Sequence, residues 1–191
     1  MRPFPVLELD LTPFPELRTE RLILRAIARD DGAALFRIRA DKRVMHHIGR
    51  PLATTEQDAL DLIDRALKDQ AGNNAISWAI TMQDDPTLIG TIGYYRLKKE
   101  HYRGEVGYAL HSDHWRKGIM KEALLAVVAC GFERLGFHSI EADTDPRNTA
   151  SNALLRSCGF VREGLFKENF FWNGEFLDSA AYSLLKADFM G

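Results

Sequence analysis

The sequence of 191 residues has little cysteine and no long apolar run. Its two cysteines, Cys130 and Cys158, form neither a CxxC pair nor a dense disulfide framework, so we expect buried free thiols. No apolar segment approaches the roughly 18 residues of a membrane-spanning helix. The first residues also lack the apolar core of a signal peptide. We therefore expect a cytoplasmic protein without a membrane partner.

An excess of charge of one sign is missing too. The 25 Lys and Arg residues nearly balance 27 Asp and Glu residues, for a net charge of -2, so no overall basic field would attract nucleic acid. The patterns GxxxxGK[ST] and GxGxxG do not occur, which argues against a nucleotide P-loop or a Rossmann site. His111 and His114 have HxxH spacing but no nearby acidic or cysteine ligands, so we expect no metal.

What the chain does contain is an alternation of strand-like and helix-like apolar patterns. Residues 1–16, rich in proline, are expected to form an extended arm, and residues 17–191 a single domain of the α+β class with a largely antiparallel sheet flanked by helices. The pair Asn173–Gly174 predicts a hairpin turn near the end. The expected strands lie in 21–27, 75–82, 87–97, 105–111 and 138–144, and the expected helices in 28–41, 54–72, 117–135 and 148–158.

The segment "HWRKGIMKE" places a glycine among basic residues where a strand-like run meets a long amphipathic helix. The first amides of a helix have no partner within it, and the helix dipole adds positive charge at that end. Gly118 would let the chain turn tightly, and Arg116, Lys117 and Lys121 add charge. The junction therefore predicts a site for a pyrophosphate, although basic residues at a solvated helix start are a common alternative.

Four motifs along most of the chain carry a family resemblance. They are "EVGYAL", "WRKGIMKEA", "NTASNALLRSCGF" and a terminal hairpin with Asn173, Gly174 and Asp178. In this order they resemble the GCN5-related N-acetyltransferase (GNAT) superfamily, and within it the branch that acetylates the N-termini of ribosomal proteins (RimJ/RimL-like). The resemblance implies a GNAT fold with a sheet splayed at the strand that binds coenzyme A, acetyl-CoA as co-substrate, a primary amine as acceptor, and a homodimer as one option.

The resemblance also assigns residues to the cofactor. The loop Trp115–Lys121 would bind the pyrophosphate, the strand Tyr108–Leu110 the pantetheine arm, and the Asn148 side chain the same arm. Met120 departs from the usual small residue, at little cost if only its N–H is used. The assigned cofactor-binding residues are Tyr108, Ala109, Leu110, Trp115, Arg116, Lys117, Gly118, Ile119, Met120, Lys121 and Asn148.

Glu105 and Ser151 are the candidate catalytic residues. Glu105 begins the strand expected to hold the thioester, and a partly buried carboxylate there could act as general base. Its alternative is an ion pair with Arg103 or Lys98. Ser151, one helical turn after Asn148, could orient the sulfur or relay a proton, or could simply cap the helix.

Some positions are expected to matter less, and one departs from the family. Leu155 replaces the tyrosine that many superfamily members use as the acid for the leaving thiolate. Glu122 is expected on a solvated helix face, and His46 and His47 as a solvated pair near the acceptor cleft. Tyr108 and Tyr182 are outside candidates for the acid and are expected mainly to pack.

The sequence thus predicts an N-acetyltransferase that moves an acetyl group from acetyl-CoA to a primary amine by direct attack. A protein N-terminal Ser or Ala is one acceptor, and a small-molecule amine is another. A binding module for CoA without catalysis is the alternative from a different class.

Overall fold

The computed structural model describes residues 6–190 of the chain. The strands are β1 (Leu17–Arg18), β2 (Leu22–Ala26), β3 (Ile76–Met82), β4 (Gly90–Lys98), β5 (Arg103–Leu110), β6 (Ser139–Thr144), β7 (Val161–Trp172) and β8 (Glu175–Leu185). The helices are α1 (Gly32–Ala40), α2 (Lys42–Met45), α3 (Glu56–Ala71), α4 (Ile119–Glu133) and α5 (Thr149–Ser157). Every predicted strand and helix within the described residues has its counterpart.

All eight strands form one sheet in the order β1-β2-β3-β4-β5-β6-β8-β7. Neighbouring strands run antiparallel, except that β5 and β6 are parallel. These two pair only from Arg103–Ser139 to Glu105–Glu141, whereas β5 stays paired with β4 as far as Leu110. The sheet therefore opens after Glu105, and the expected α+β class with a mostly antiparallel, splayed sheet is confirmed.

Local signals explain where the elements begin and end. Thr55 caps α3 by accepting the N–H of Asp58 in a capping box, and Gly72 ends it, as the sequence predicts. The long helix α4 is shorter than expected at both ends. At its start, Gly118 takes up a left-handed conformation (φ 75°), so the helix begins at Ile119. Asn173 and Gly174, both with positive φ, form the predicted hairpin turn.

Two apolar clusters cover the two faces of the sheet. The larger joins α4 to the inward residues of the sheet, with Trp78 and Tyr94 fully buried in it. The smaller joins α1 and α3 to the opposite face through residues such as Ile38 and Ile63. Cys130 and Cys158 are free and buried, as expected, and burial raises the pKa of Cys130 to about 11. No helix within residues 6–190 is both long enough and apolar enough to cross a membrane.

The described part of the N-terminal arm, residues 6–16, packs onto the domain. Leu7, Leu9 and Leu11 are buried in the larger cluster, and the N–H of Leu7 donates to the Lys99 carbonyl at 3.1 Å. The indole of Trp78 donates to the Pro15 carbonyl at 2.7 Å. Residues 1–5 of the predicted arm lie outside the described residues, and the division at residue 16 stays a prediction.

The terminal hairpin forms the far edge of the sheet. Between Phe166 and Phe170 the register shifts, and the Asp178 carboxylate accepts the N–H of Glu168, a residue with positive φ, at 2.8 Å. This contact gives the aspartate of the hairpin motif a structural role at the irregular part of β7.

Candidate active site

The loop between β5 and α4 presents unpaired amides. The first N–H bonded within α4 is that of Glu122, which donates to the Gly118 carbonyl at 3.1 Å, and no side chain caps the helix at Gly118. The amides of Gly118–Lys121 therefore lack helical partners. The side chains of Ile119 and Met120 are buried, so these two residues can offer only their main chain to a ligand. This is the geometry of an anion site at a helix N-terminus.

Contacts from outside the loop hold it in place. The Trp115 indole N–H donates to the Leu110 carbonyl at 2.9 Å, which closes the loop onto the end of β5. Arg21 donates from Nη1 to the Lys117 carbonyl at 2.9 Å and pairs with Glu122 at 2.7 Å. Sequence reasoning missed Arg21, because its partners lie about a hundred residues further along the chain.

Glu122 corrects one expectation. The predicted solvated face is wrong, because the carboxylate accepts the Thr19 hydroxyl at 2.6 Å as well as the main-chain N–H of Arg21 at 2.9 Å. Burial alone would raise its pKa, but these hydrogen bonds and the Arg21 charge outweigh it and lower the pKa below its ordinary value. Glu122 therefore ties the start of α4 to β2 as an ionised carboxylate.

The strand β5 exposes main-chain groups on the side where the sheet opens. Leu110 lies opposite Gly90, and the next residue, His111, donates its N–H to Ile89 at 2.8 Å. In an antiparallel ladder this pattern makes Leu110 and Tyr108 non-hydrogen-bonded positions relative to β4, so their N–H and C=O groups point away from it. Since β6 has already diverged, these groups face the opening.

The start of α5 lies across this opening. Asn148 caps the helix, and its Oδ1 accepts the Ser151 N–H at 3.0 Å. The Ser151 hydroxyl lies 2.8 Å from the hydroxyl of Tyr108. Buried Asn152 fixes the preceding turn by donating to three main-chain carbonyls. Burial raises the pKa of Tyr108 to about 12, although the Ser151 hydrogen bond opposes it.

Neither the position of the family's acid tyrosine nor Tyr182, an outside candidate for the acid, lies at the opening. Leu155 is fully buried in the larger cluster, so this position points into the core. Tyr182 is also buried and its hydroxyl accepts from Arg156 at 3.2 Å. Tyr108 is the tyrosine whose hydroxyl contacts Ser151 in the opening. The sequence predicted mainly a packing role for this residue.

Glu105 lies at the point where β5 and β6 separate. It pairs with Arg96 at 2.9 Å, and not with Lys98 or Arg103 as the alternative had it. Those two cations pair instead with Glu141, at 2.7 and 3.0 Å. A bulge in β4 between Tyr94 and Arg96 shifts the register by one residue and brings Arg96 opposite Glu105. The sequence does not reveal this shift.

A second carboxylate accompanies Glu105. Asp143 lies two residues beyond Glu141 on β6, and Glu141 is the register partner of Glu105, so the three share one face of the sheet. Burial raises the pKa of Glu105, and the Arg96 charge only partly opposes this. Burial and the negative charge of Glu141 likewise raise the pKa of Asp143. The opening therefore holds two carboxylates that bind protons more readily than free ones.

The segment directly after α2 contains a further correction. His46 is exposed, as expected, but His47 is half-buried and its Nδ1 lies 3.0 Å from the Asp145 carboxylate, so the expectation of a solvated pair is wrong for His47. Burial would raise the pKa of Asp145, but hydrogen bonds from Arg147 and His47 hold it well below its usual range. The ring of His46 packs edge-on against that of His47.

The loop before α4, the opened part of β5, the start of α5, Glu105, Asp143 and the histidine pair line a single cleft with a volume of about 2010 Å³. Of the predicted site residues, Lys117 alone does not line it, and its carbonyl is engaged by Arg21. Within residues 6–190, no group of three or more His, Cys, Asp or Glu side chains is arranged to hold a metal. The cleft brings together Glu105, Tyr108, Ala109, Leu110, Trp115, Arg116, Gly118, Ile119, Met120, Lys121, Asn148 and Ser151.

Comparison with known proteins identifies the family. The model of the acetyltransferase (GNAT) domain matches residues 21–161. The chain belongs to the GNAT acetyltransferase family. It is 36% identical to the uncharacterized N-acetyltransferase YoaA of Bacillus subtilis, over 91% of this chain and 98% of that protein.

Other GNAT proteins extend the similarity. A GNAT acetyltransferase structure from Bacillus anthracis is 26% identical, with a TM-score of 0.82 over 91% of this chain and 99% of the other. The ribosomal protein uS5-alanine N-acetyltransferase of Escherichia coli is 24% identical over 92% of this chain and 93% of that protein. The chain is therefore an acetyl-CoA-dependent N-acetyltransferase with the GNAT fold, as the motifs predicted.

Proposed function

We propose that this GNAT enzyme acetylates the N-terminal amine of a protein, with Ser or Ala as the first residue. Similarity to the uS5-alanine enzyme over most of both chains supports this acceptor. The observation that carries the proposal is the position of Glu105, which lines the same cleft as the unpaired amides of Gly118–Lys121. A general base and an anion site thus face one opened strand.

The chain offers separate groups for each part of acetyl-CoA. The amides of Gly118–Lys121 would bind the pyrophosphate, with the charges of Arg116 and Lys117 nearby. The main chain of Tyr108 would pair with the pantetheine arm as an added strand would. Asn148 uses Oδ1 as the helix cap, which leaves its Nδ2 as a donor for the same arm. The N–H of Leu110 is our candidate donor to the developing oxyanion.

Glu105 is the proposed general base. Its raised pKa makes it a better proton acceptor than an ordinary glutamate, while pairing with Arg96 keeps the carboxylate in place. The acceptor amine is cationic at neutral pH and must lose a proton before attack. Glu105 can take that proton directly or through one water, and nearby Asp143 adds negative charge that attracts the ammonium form.

In our proposal, Tyr108 takes the role of the tyrosine that many family members use as the acid for the leaving thiolate and that is Leu155 in this chain. With a pKa of about 12 the phenol stays protonated at neutral pH, so it can donate a hydrogen bond to the leaving thiolate. Ser151 lies 2.8 Å from that hydroxyl and orients it. We therefore assign Ser151 to positioning the Tyr108 hydroxyl, whereas the sequence predicted that Ser151 itself acts on the sulfur.

Replacement of Tyr108 by Phe should lower kcat by about 10- to 100-fold, because the thiolate loses a donor. The KM for acetyl-CoA should change little, since the main chain of Tyr108 makes the proposed contacts to the cofactor. Ser151→Ala should have a smaller effect on kcat. Tyr182→Phe, at a buried hydroxyl that contacts Arg156, is the control. A Tyr108→Phe enzyme with the kcat of the unsubstituted protein would exclude the phenol from the reaction.

Thiol release from acetyl-CoA tests the acceptor. Peptides that begin with Ser or Ala should be acetylated at the α-amine, as mass spectrometry would show, and the same peptides with blocked N-termini should not react. Turnover of small amines alone would favour a small-molecule acetyltransferase. Binding of CoA without turnover of any amine in the panel would favour a binding module and contradict the proposal.

A further inference from the structure

We propose that the acceptor carries an anionic group, a carboxylate or a phosphate, which Arg39 and Arg50 bind on the wall of the cleft. The inference rests on the proposed function, because it concerns the substrate of the same site. It names a binding site for the part of the acceptor that does not react.

Arg39 is a half-buried cation that pairs with no carboxylate in the described part of the chain. It lies in the last turn of α1, and its Nε atom is inaccessible to solvent and has no hydrogen-bond partner within residues 6–190. Its Nη1 reaches only the sulfur of Met45, at 3.9 Å. Buried guanidinium groups are normally paired, because an unpaired buried charge is costly. Burial lowers the pKa of Arg39, the Tyr95 phenol opposes this, and the charge of Arg50 lowers it further.

Arg50 adds a second positive charge, which lowers the pKa of Arg39. Both guanidinium groups line the cleft, and no carboxylate in the described part of the chain pairs with either. Two like charges that repel each other are stabilised by an anion between them. The cleft also contains arginines that do have acidic partners, in the pairs Arg43–Asp41, Arg96–Glu105 and Arg147–Asp145.

The bulge in β4 connects this basic wall to the reaction site. In a regular strand Tyr95 and Arg96 would point to opposite faces, but both line the cleft. Tyr95 raises the pKa of Arg39 through its electrostatic effect, and Arg96 pairs with Glu105. The cleft therefore contains the guanidinium groups of Arg39 and Arg50 as well as the carboxylates of Glu105 and Asp143 that would receive the amine. Such a combination of charges fits an acceptor with both an amine and an anionic group.

Matched peptides test the site. Three peptides would share one sequence beginning with Ser and differ at a single nearby residue, as aspartate, asparagine or phosphoserine. With the unsubstituted enzyme, kcat/KM should be about 10- to 100-fold higher for at least one anionic peptide than for the asparagine peptide. The ratio of kcat/KM for the aspartate peptide to kcat/KM for the phosphoserine peptide then shows which of the two anions the site prefers. Calorimetric titration of the enzyme–CoA complex with each peptide should give the same order of affinity.

Variants decide whether the two arginines cause the preference. Arg50→Gln, at an exposed position, and Arg39→Gln should each reduce the preference for the anionic peptide about tenfold, by raising its KM more than by lowering kcat. The control is Arg37→Gln, an exposed arginine of α1 outside the cleft, which should keep the preference. Circular dichroism would establish that the Arg39 variant is folded.

Two results would overturn the inference. One is equal kcat/KM and equal affinity for the anionic and asparagine peptides, and the other is a preference that survives Arg50→Gln and Arg39→Gln. In either case acetylation of the peptides would leave the proposed function standing. If no peptide is acetylated, the proposed function is wrong, and the titration still shows whether the anion is bound.

Discussion

Replacement of Glu105 by Gln is expected to lower kcat/KM by about 100-fold or more, with the dissociation constant of CoA unchanged. The amide has nearly the same shape as the carboxylate but cannot accept the amine's proton. Glu105 lies at the point where the sheet opens and pairs with Arg96, away from the loop proposed to bind the pyrophosphate. Steady-state rates together with a CoA titration would separate the two effects.

The pH dependence gives a second readout of the same variant. Because burial raises the pKa of Glu105, the acidic limb in the pH profile of kcat/KM should have an apparent pKa above the value of roughly 4.3 for an ordinary glutamate. Below that limb Glu105 is protonated and cannot act as base, so the rate falls. The Gln variant should lack the limb. Glu133→Gln, at an exposed residue ending α4, is the control.

The same raised pKa has a consequence for stability. A carboxyl whose pKa is higher in the folded state than in the unfolded state binds its proton more tightly when folded. Its contribution to the free energy of unfolding therefore decreases as the pH rises from its unfolded pKa through its folded pKa. At neutral pH, Glu105→Gln should unfold at a temperature no lower than the unsubstituted protein. A clearly lower Tm with lost activity would point to a structural role for Glu105 instead.

The second large effect is expected at Gly118. Replacement by Val should weaken CoA binding by at least about 10-fold, because φ is 75° there, a conformation that a β-branched residue adopts only with strain. The new Cβ would also lie 3.3 Å from the Arg21 guanidinium that holds the loop. Both effects displace the amides of Gly118–Lys121. Isothermal titration with CoA measures the loss.

Gly174 offers a matched control. It also has a positive φ, of 84°, but a Cβ there would meet nothing within 4 Å. Gly174→Val should therefore strain the terminal hairpin and leave CoA binding intact. Equal losses of affinity in the two variants would mean that general destabilisation, rather than the loop, controls binding.

Much of the fold could be predicted because it depends on local patterns. Period-two and period-3.6 apolar repeats mark which face of a strand or helix is buried, and caps such as Thr55 and Gly118 are local as well. The loop amides follow from the same kind of signal, since a glycine before an amphipathic helix determines its N-terminus. The sequence therefore predicted the turn at Gly118 before α4 and the hairpin turn.

The contacts across the cleft could not be predicted in this way. The partner of Glu105 depends on a bulge that shifts the β4 register by one residue, and no local pattern marks that bulge. The Tyr108–Ser151 and His47–Asp145 contacts join segments 43 and 98 residues apart. Such pairs depend on how separate helices and strands pack against each other. Local patterns in a single sequence do not show which distant segments meet.

The most direct test is a titration of the unsubstituted protein and Gly118→Val with both CoA and pantetheine, which lacks the pyrophosphate. We expect CoA to bind the unsubstituted protein far more tightly than pantetheine, and the valine to weaken CoA while leaving pantetheine nearly unchanged. Equal weakening of the two ligands, or CoA binding that tolerates the valine, would contradict a pyrophosphate site at the amides of Gly118–Lys121.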